Sequence, residues 1–251
     1  MSFSLYRMPV LIRYGNFIFR YRNKVFPVAL AIMVLAFPRL FPDDWLPLDE
    51  LWETDPWLDM VALSVALAGE TLRILTVGLE YIKRGGLNKR IHAERLVTNG
   101  LFAHCRNPLY TGNLMICLAL LSLADRVDIF AIGGLLAVIT YIAIVAAEES
   151  FLRAKFGAEY EAYCRTTNRW LPSPRGLAGT IGSMHFNWRR VLLKESSSFY
   201  GWLAVAVILD GIEGDFSIAR GDFQMFAILF AVGTIVFLTI RVLKRLRWLQ
   251  L

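Results

Sequence analysis

Leu96–Asn113, LVTNGLFAHCRNPLYTGN, is followed after one apolar hairpin by Glu148–Pro172, EESFLRAKFGAEYEAYCRTTNRWLP. These two stretches decide the fold, because each lies where a long apolar run meets a polar segment. Between them run Leu109–Ala124 and Val127–Ala147, joined only by Ala124 to Asp128, so they form a tight antiparallel hairpin. A hairpin returns the chain to the side it left. The turn bearing Gly100 and Arg106 and the acid pair Glu148–Glu149 therefore share one face.

Working outward, the same apolar character extends over most of the chain. Hydrophobic residues make up 56% of 251 positions, above the roughly 45–50% of an average soluble domain. Six runs approach the roughly 20 apolar residues of a transmembrane helix: Val25–Phe41, Trp57–Tyr81, Leu109–Ala124, Val127–Ala147, Phe199–Gly211 and Phe223–Ile240. Phe199–Gly211 is short and calls for extension by Val191–Leu193. The expected fold is all-α: a polytopic transmembrane helical bundle of about six spans with a cytoplasmic interfacial helix. The organisation expected is a basic arm (1–24), spans one and two (25–81), a core of spans three and four with the interfacial helix (82–175), and spans five and six with a basic tail (176–251). Met1–Lys24 has no compact apolar core followed by a small-residue site, so a cleavable signal peptide is not expected.

Charge placement orients the bundle. With the N-terminus inside, the inner segments collect 23 of the 27 Lys and Arg residues. Acids gather in the outer loops, at Asp43–Asp55, Asp125, Asp128, Glu213, Asp215 and Asp222. This positive-inside pattern places both termini and both quoted stretches in the cytoplasm, with a bacterial cytoplasmic membrane as the expected location. The net charge of +6 thus reports orientation, and nucleic acid is not an expected partner.

Local chemistry refines the picture. Asn107 is a good N-cap, Pro108 suits the first helical position, and the resulting helix terminus beside Arg106 makes an anion site. Gly112 either admits a ligand to the backbone or packs against a neighbouring helix. Glu70 and Arg73, at i,i+3 spacing inside span two, serve either as an ion pair locking the bundle or as the polar wall of a cavity. Glu148 and Glu149 run against an otherwise basic boundary; solvation, or pairing of Glu149 with Arg153, is the alternative to a site. From Ser150 to Arg165, Phe151, Leu152, Phe156, Tyr160 and Tyr163 recur at helical spacing, as in an interfacial amphipathic helix bent near Gly157. Cys105, Cys117 and Cys164 are too few for a disulfide framework. Cys105 is read as a small semi-buried side chain, with a thiol acidified by Arg106 as the alternative. His92, His104 and His185 lack metal-ligand spacing, so no metal is expected.

At these residues the chain resembles the bacterial form of the isoprenylcysteine carboxyl methyltransferase family, which is related to phospholipid methyltransferases. The matching positions are Leu96, Val97, Gly100, Phe102, Arg106, Asn107, Pro108, Tyr110 and Gly112, then Glu148, Glu149, Leu152, Phe156, Gly157, Tyr160, Tyr163, Arg169 and Pro172. Glu70 and Arg73 resemble a further segment of bacterial members. The resemblance implies S-adenosylmethionine as cofactor, held by Leu96, Val97, Gly100, Phe102, Arg106, Asn107, Pro108, Tyr110, Glu148 and Glu149. Arg106 and Tyr110 are implied as the catalytic pair. The implied acceptor is lipophilic and enters from the bilayer, a prenylcysteine-like carboxylate being favoured over a phospholipid amine or a small thiol. Two departures are visible: Asn107 stands where eukaryotic members have His, and Ile144–Ala147 lacks the Arg those members carry before the acid pair. Two other classes compete, a nicotinamide-dependent membrane sterol-type reductase and a non-catalytic scaffold or transporter.

Overall fold

The computed structural model describes residues 8–36, 56–80, 82, 86–124, 126–213, 221–246 and 248. Eight α-helices occur among these residues: α1 (Pro9–Ala31), α2 (Pro56–Leu79), α3 (Pro108–Ser122), α4 (Val127–Phe156), α5 (Ala158–Thr166), α6 (Leu177–Ser183), α7 (Trp188–Glu213) and α8 (Gly221–Arg245). A 3₁₀ turn, Gly100–Ala103, precedes α3. No strand occurs among the described residues, and an all-α bundle is the fold. Among the same residues, four helices are long and apolar enough to cross a membrane, within α2, α4, α7 and α8, and α3 is apolar but shorter. The acidic outer loops expected between residues 37 and 55 and from 214 to 220 lie outside the described residues, as do Asp125, Lys83, Arg84 and Gly85.

Small residues set how closely the helices approach. A Cβ built on Gly112 would stand 2.6 Å from the backbone oxygen of Gly69, and one on Gly69 would stand 2.7 Å from that of Gly112. Helices α2 and α3 therefore touch backbone to backbone, as membrane helices do where bulk is absent. Of the two roles open to Gly112, packing is the one the structure uses. Gly15 does the same for α1, where a Cβ would collide with the Ala143 carbonyl of α4. Ala62, Ala66, Ile116, Ala119 and Leu120 join Trp202, Leu203 and Ala206 in one core that ties α2 and α3 to α7.

Several boundaries differ from those expected. The basic arm is no loose tail: α1 runs unbroken through Lys24, ending in a π-helical turn at Ile32–Ala36. Its Gly15, Ile18 and Phe19 are buried, with Val25 and Phe26 packed on the same cluster against Tyr141 and Ile144 of α4. The i,i+3,i+4 spacing of these residues makes one apolar stripe, and that stripe outweighs the charge density that suggested a tail. Helix α4 does not end at Ala147 either; it continues to Phe156. Glu is a good helix former, so Glu148–Glu149 do not stop it. Gly157 stops it, at φ 51° and ψ −121°, a conformation costly for any residue with a Cβ. The expected interfacial helix is thus the end of α4 plus a separate α5. The fifth span does gain Val191–Leu193, since α7 begins at Trp188.

Candidate functional site

Glu149 anchors the site. It is 1% exposed and collects donors from both motif stretches. Arg106 Nε donates to it at 3.3 Å, Asn107 Nδ2 at 3.2 Å, and Arg169 through Nε at 3.1 Å and Nη2 at 2.5 Å. Arg106 Nη1 also donates to the carbonyls of Cys164 and Thr167, at 2.9 and 3.0 Å. One carboxylate therefore clamps the turn before α3 to the loop after α5. Arg153, the other candidate partner, forms an ion pair with Glu161.

The turn itself is locked by backbone contacts. Arg106 N–H donates to the Asn168 carbonyl at 2.8 Å, and Ser173 N–H donates to the His104 carbonyl at 2.9 Å. Asn107 precedes α3 but its side chain makes no capping bond. Its amide is drawn instead to the buried carboxylate and to the Arg169 carbonyl, because a charged acceptor makes the stronger hydrogen bond. Cys105 is fully buried, and its Sγ donates to the Trp170 carbonyl at 2.9 Å. Burial pushes its thiol pKa up to about 11, so packing, and not acidification by Arg106, describes it. His104 Nδ1 must be the protonated nitrogen, since the Ser173 carbonyl 3.0 Å away can only accept.

Over this clamp lies a cavity of about 1070 Å³, at the upper end of the roughly 300–1,000 Å³ of ligand pockets. Leu96, Val97, Phe102, Arg106, Asn107, Pro108, Tyr110 and Glu148 line it, whereas Gly100 and Glu149 do not. Gly100, at φ +61°, is the tight turn that lays the 3₁₀ segment against Leu79 and Glu80, where an added Cβ would fall 3.3 and 3.2 Å from theirs. The acid pair thus divides its labour: Glu149 faces the clamp and Glu148 faces the cavity. Glu148 Oε2 is buried with no hydrogen-bond partner, while its carboxylate interacts with the Tyr110 hydroxyl and feels the charge of Arg22. A buried carboxylate oxygen in a cavity wall calls for a donor, which water, a cation or a ligand can supply.

Aromatic rings line the same cavity. Tyr110 stands 6.2 Å from Tyr141, which stacks on Phe26 at 5.4 Å, and all three line the cavity. Phe102, Tyr160 and Tyr163 line it as well. The Tyr163 hydroxyl donates to the Phe102 carbonyl at 2.6 Å, pinning α5 across the mouth, and burial raises the Tyr163 phenol above its ordinary range. From the polar loop at His92, Glu94 and Arg95 the cavity descends past Pro108 to Leu120, roughly 18 Å along α3 at about 1.5 Å per residue.

At the inner end Arg73 joins the wall, together with Asn113, Ser198 and Trp202. Its guanidinium lies 3.5 Å from Glu70, donates to Glu195 at 2.5 Å and to Ser198 at 2.8 Å, and contacts Asn113. Trp202 Nε1 donates to Glu70 at 3.2 Å. The pair locks α2 to α7, and of the two Arg73 alone also walls the cavity. Sequence reasoning missed Arg22, Phe26 and Tyr141 as lining residues. The apolar stripe of α1 carried the signal, because Arg22 falls on it three residues after Phe19 and three before Val25.

Fold and site together define a membrane-embedded helical bundle with a deep cavity opening at its polar end. Residues 61–159 match the family model described as phospholipid methyltransferase. The family resemblance drawn from the motifs is borne out over this segment. The chain is 25% identical over 157 residues to a nickel-cobalt-cadmium resistance protein of Alcaligenes xylosoxydans xylosoxydans, covering 62% of this chain and 67% of the relative. It is 32% identical over 157 residues to a cobalt-zinc-cadmium resistance protein of Cupriavidus metallidurans, covering 62% of this chain and 66% of the relative. The chain thus spans about two thirds of the length of these relatives. No solved structure matches it.

Proposed function

We propose that the protein is an S-adenosylmethionine-dependent methyltransferase acting on a lipophilic acceptor at the membrane. One observation carries the reading: Glu148, whose Oε2 is buried without a partner, lines a cavity with a polar, aromatic mouth and a mainly apolar interior in which Arg73, Asn113 and Ser198 form a polar patch. When bound, the donor supplies a methyl group on a cationic sulfur. The chain's own residues fit such a molecule. Glu148 accepts hydrogen bonds from hydroxyls and favours positive charge nearby, and the faces of Tyr110, Tyr141 and Phe26 attract a cation. Arg106 has Nε and Nη1 already committed, so its part is to hold the mouth rigid while presenting one edge to the cavity. Tyr110 fixes the Glu148 carboxylate and lies where donor and acceptor would meet.

An apolar stretch of the wall, with Ile116, Cys117, Leu120 and Val205, suits an acyl or isoprenoid chain. A direct displacement asks chiefly for alignment of the two reactants, which a rigid cavity provides. A carboxylate acceptor needs no base, and that favours it over an amine, with a thiol as the further alternative. The test is incubation of purified protein with radiolabelled donor and a membrane lipid extract. Label in a lipid fraction that vanishes with Glu148→Gln supports the proposal; a labelled water-soluble product, or none, defeats it. A second reading, a part in resistance to divalent transition metals, is carried by the names of the two relatives. Methylation of a membrane component is compatible with it, and growth of a deletion strain on cobalt or cadmium tests it.

A further inference from the structure

A second groove, of about 760 Å³, runs along α1 and shares Phe19 with the cavity. Its sides are α1 and the end of α4, and a two-residue hairpin turn closes it. In that turn Leu87 and Arg90 exchange two backbone hydrogen bonds of 3.0 Å. Asn88 and Lys89 both adopt positive φ, 52° and 59°. This is the geometry for which Asn-Gly is the usual sequence. Lys89 stands where glycine would be relaxed, and the turn sets it and Arg90 on the groove that Arg20 also lines.

We propose that this groove binds the phosphate-bearing headgroup of an anionic membrane phospholipid. Arg20, Lys89 and Arg90 converge on it, and among the described residues its lining contains no carboxylate. Among those residues none of the three cations pairs with an acid. Three like charges brought together without an acid repel one another, and an anion relieves that repulsion. Asn16 and Ser150 add neutral hydrogen-bonding groups, while Phe17, Tyr21 and Phe151 offer apolar walls. The groove lies level with Glu149, at the polar end of α4, where a headgroup sits above its acyl chains. Basic pockets between membrane helices on the cytoplasmic side recognise such headgroups. A soluble anion would use the cations equally well, but it gains nothing from the exposed rings of Phe17 and Tyr21.

The inference is independent of methyl transfer. Its test is thermal unfolding of the purified full chain in neutral detergent, titrated separately with short-chain phosphatidylglycerol, matched phosphatidylcholine and inorganic phosphate. Phosphatidylglycerol is expected to raise the unfolding temperature saturably, the neutral lipid to leave it unchanged, and phosphate to act only at far higher concentration. Lys89→Gly removes a charge while relaxing the turn, so the free protein keeps its unfolding temperature and its affinity for phosphatidylglycerol falls about fivefold. Arg90→Gln moves affinity the same way, and added salt weakens the response because the cations are exposed. An equal response to both lipids, or an undiminished one in both variants, overturns the proposal. Phosphate reproducing the full effect at equal concentration makes the ligand a free anion and overturns the lipid assignment. S-adenosylhomocysteine binding, measured on the same samples, reports the other cavity separately and is expected to survive Lys89→Gly.

Discussion

The two adjacent acids at the end of the membrane-embedded part of α4 behave as different residues. Glu149 is saturated by Arg106, Asn107 and Arg169, so Glu149→Ala leaves two guanidinium groups partly buried without their carboxylate. Removing one partner of a buried ion pair costs about 3–5 kcal/mol, and denaturation of the detergent-solubilised protein is expected to register a loss of that order. Glu148→Gln should instead leave stability nearly unchanged and weaken donor-product binding roughly tenfold to hundredfold, the worth of a charge-assisted hydrogen bond. Cys105 supplies a pH test. With its folded pKa near 11 and the ordinary value at 9.0, the unfolded chain ionises first. Its contribution to stability is therefore complete below pH 9 and declines as pH rises towards 11, and Cys105→Ala should flatten that decline. Which acid faced the cavity was not legible in the sequence, because adjacent residues on a helix differ only by a rotation that the clamp loop settles. Arg169 was visible as the closing residue of a motif, but its bond to Glu149 depends on the turn at Asn168 meeting Cys105.

At the scale of elements, the hairpin of α3 and α4 was readable from two apolar runs and a short connection. The lengths were less so. α3 has 15 residues, about 22 Å, whereas the 30 residues of α4 reach about 45 Å, beyond the roughly 30 Å of hydrocarbon. That surplus carries the acid pair to the polar face, and hydropathy alone ends the helix too soon. Gly157 then redirects the chain so that Tyr160 and Tyr163 return over the mouth. A Cβ there meets nothing within 4 Å, so Gly157→Ala tests backbone conformation alone. It is expected to cost about 1–3 kcal/mol and to weaken S-adenosylhomocysteine binding by displacing α5. Gly112→Ala tests the opposite case, a permitted backbone with no room. The Gly69 carbonyl forces α2 and α3 apart, for about 1–3 kcal/mol of lost thermal stability.

For the whole molecule, charge asymmetry orients what packing builds. By sequence, most basic residues fall in the segments assigned to one side, so both ends of the chain and the site are expected to be cytoplasmic. Tags at either terminus should resist protease in sealed cells and be cleaved after permeabilisation; cleavage of one in sealed cells would reverse the topology. Fold class was legible because apolar length alone demands helices in a bilayer. The cavity was legible only in part. Its walls come from α1, α2 and α7 as well as the motif stretches, and contacts between distant helices leave no local pattern beyond an apolar stripe. The same limit hid the convergence of Arg20 with Lys89 and Arg90. The central claim is that the half-satisfied Glu148 marks the seat of a sulfonium nucleoside. Calorimetric titration of the purified chain with S-adenosylhomocysteine tests it most directly: saturable one-site binding that Glu148→Gln abolishes or weakens at least tenfold is expected, and no heat, or equal affinity in the variant, would contradict it.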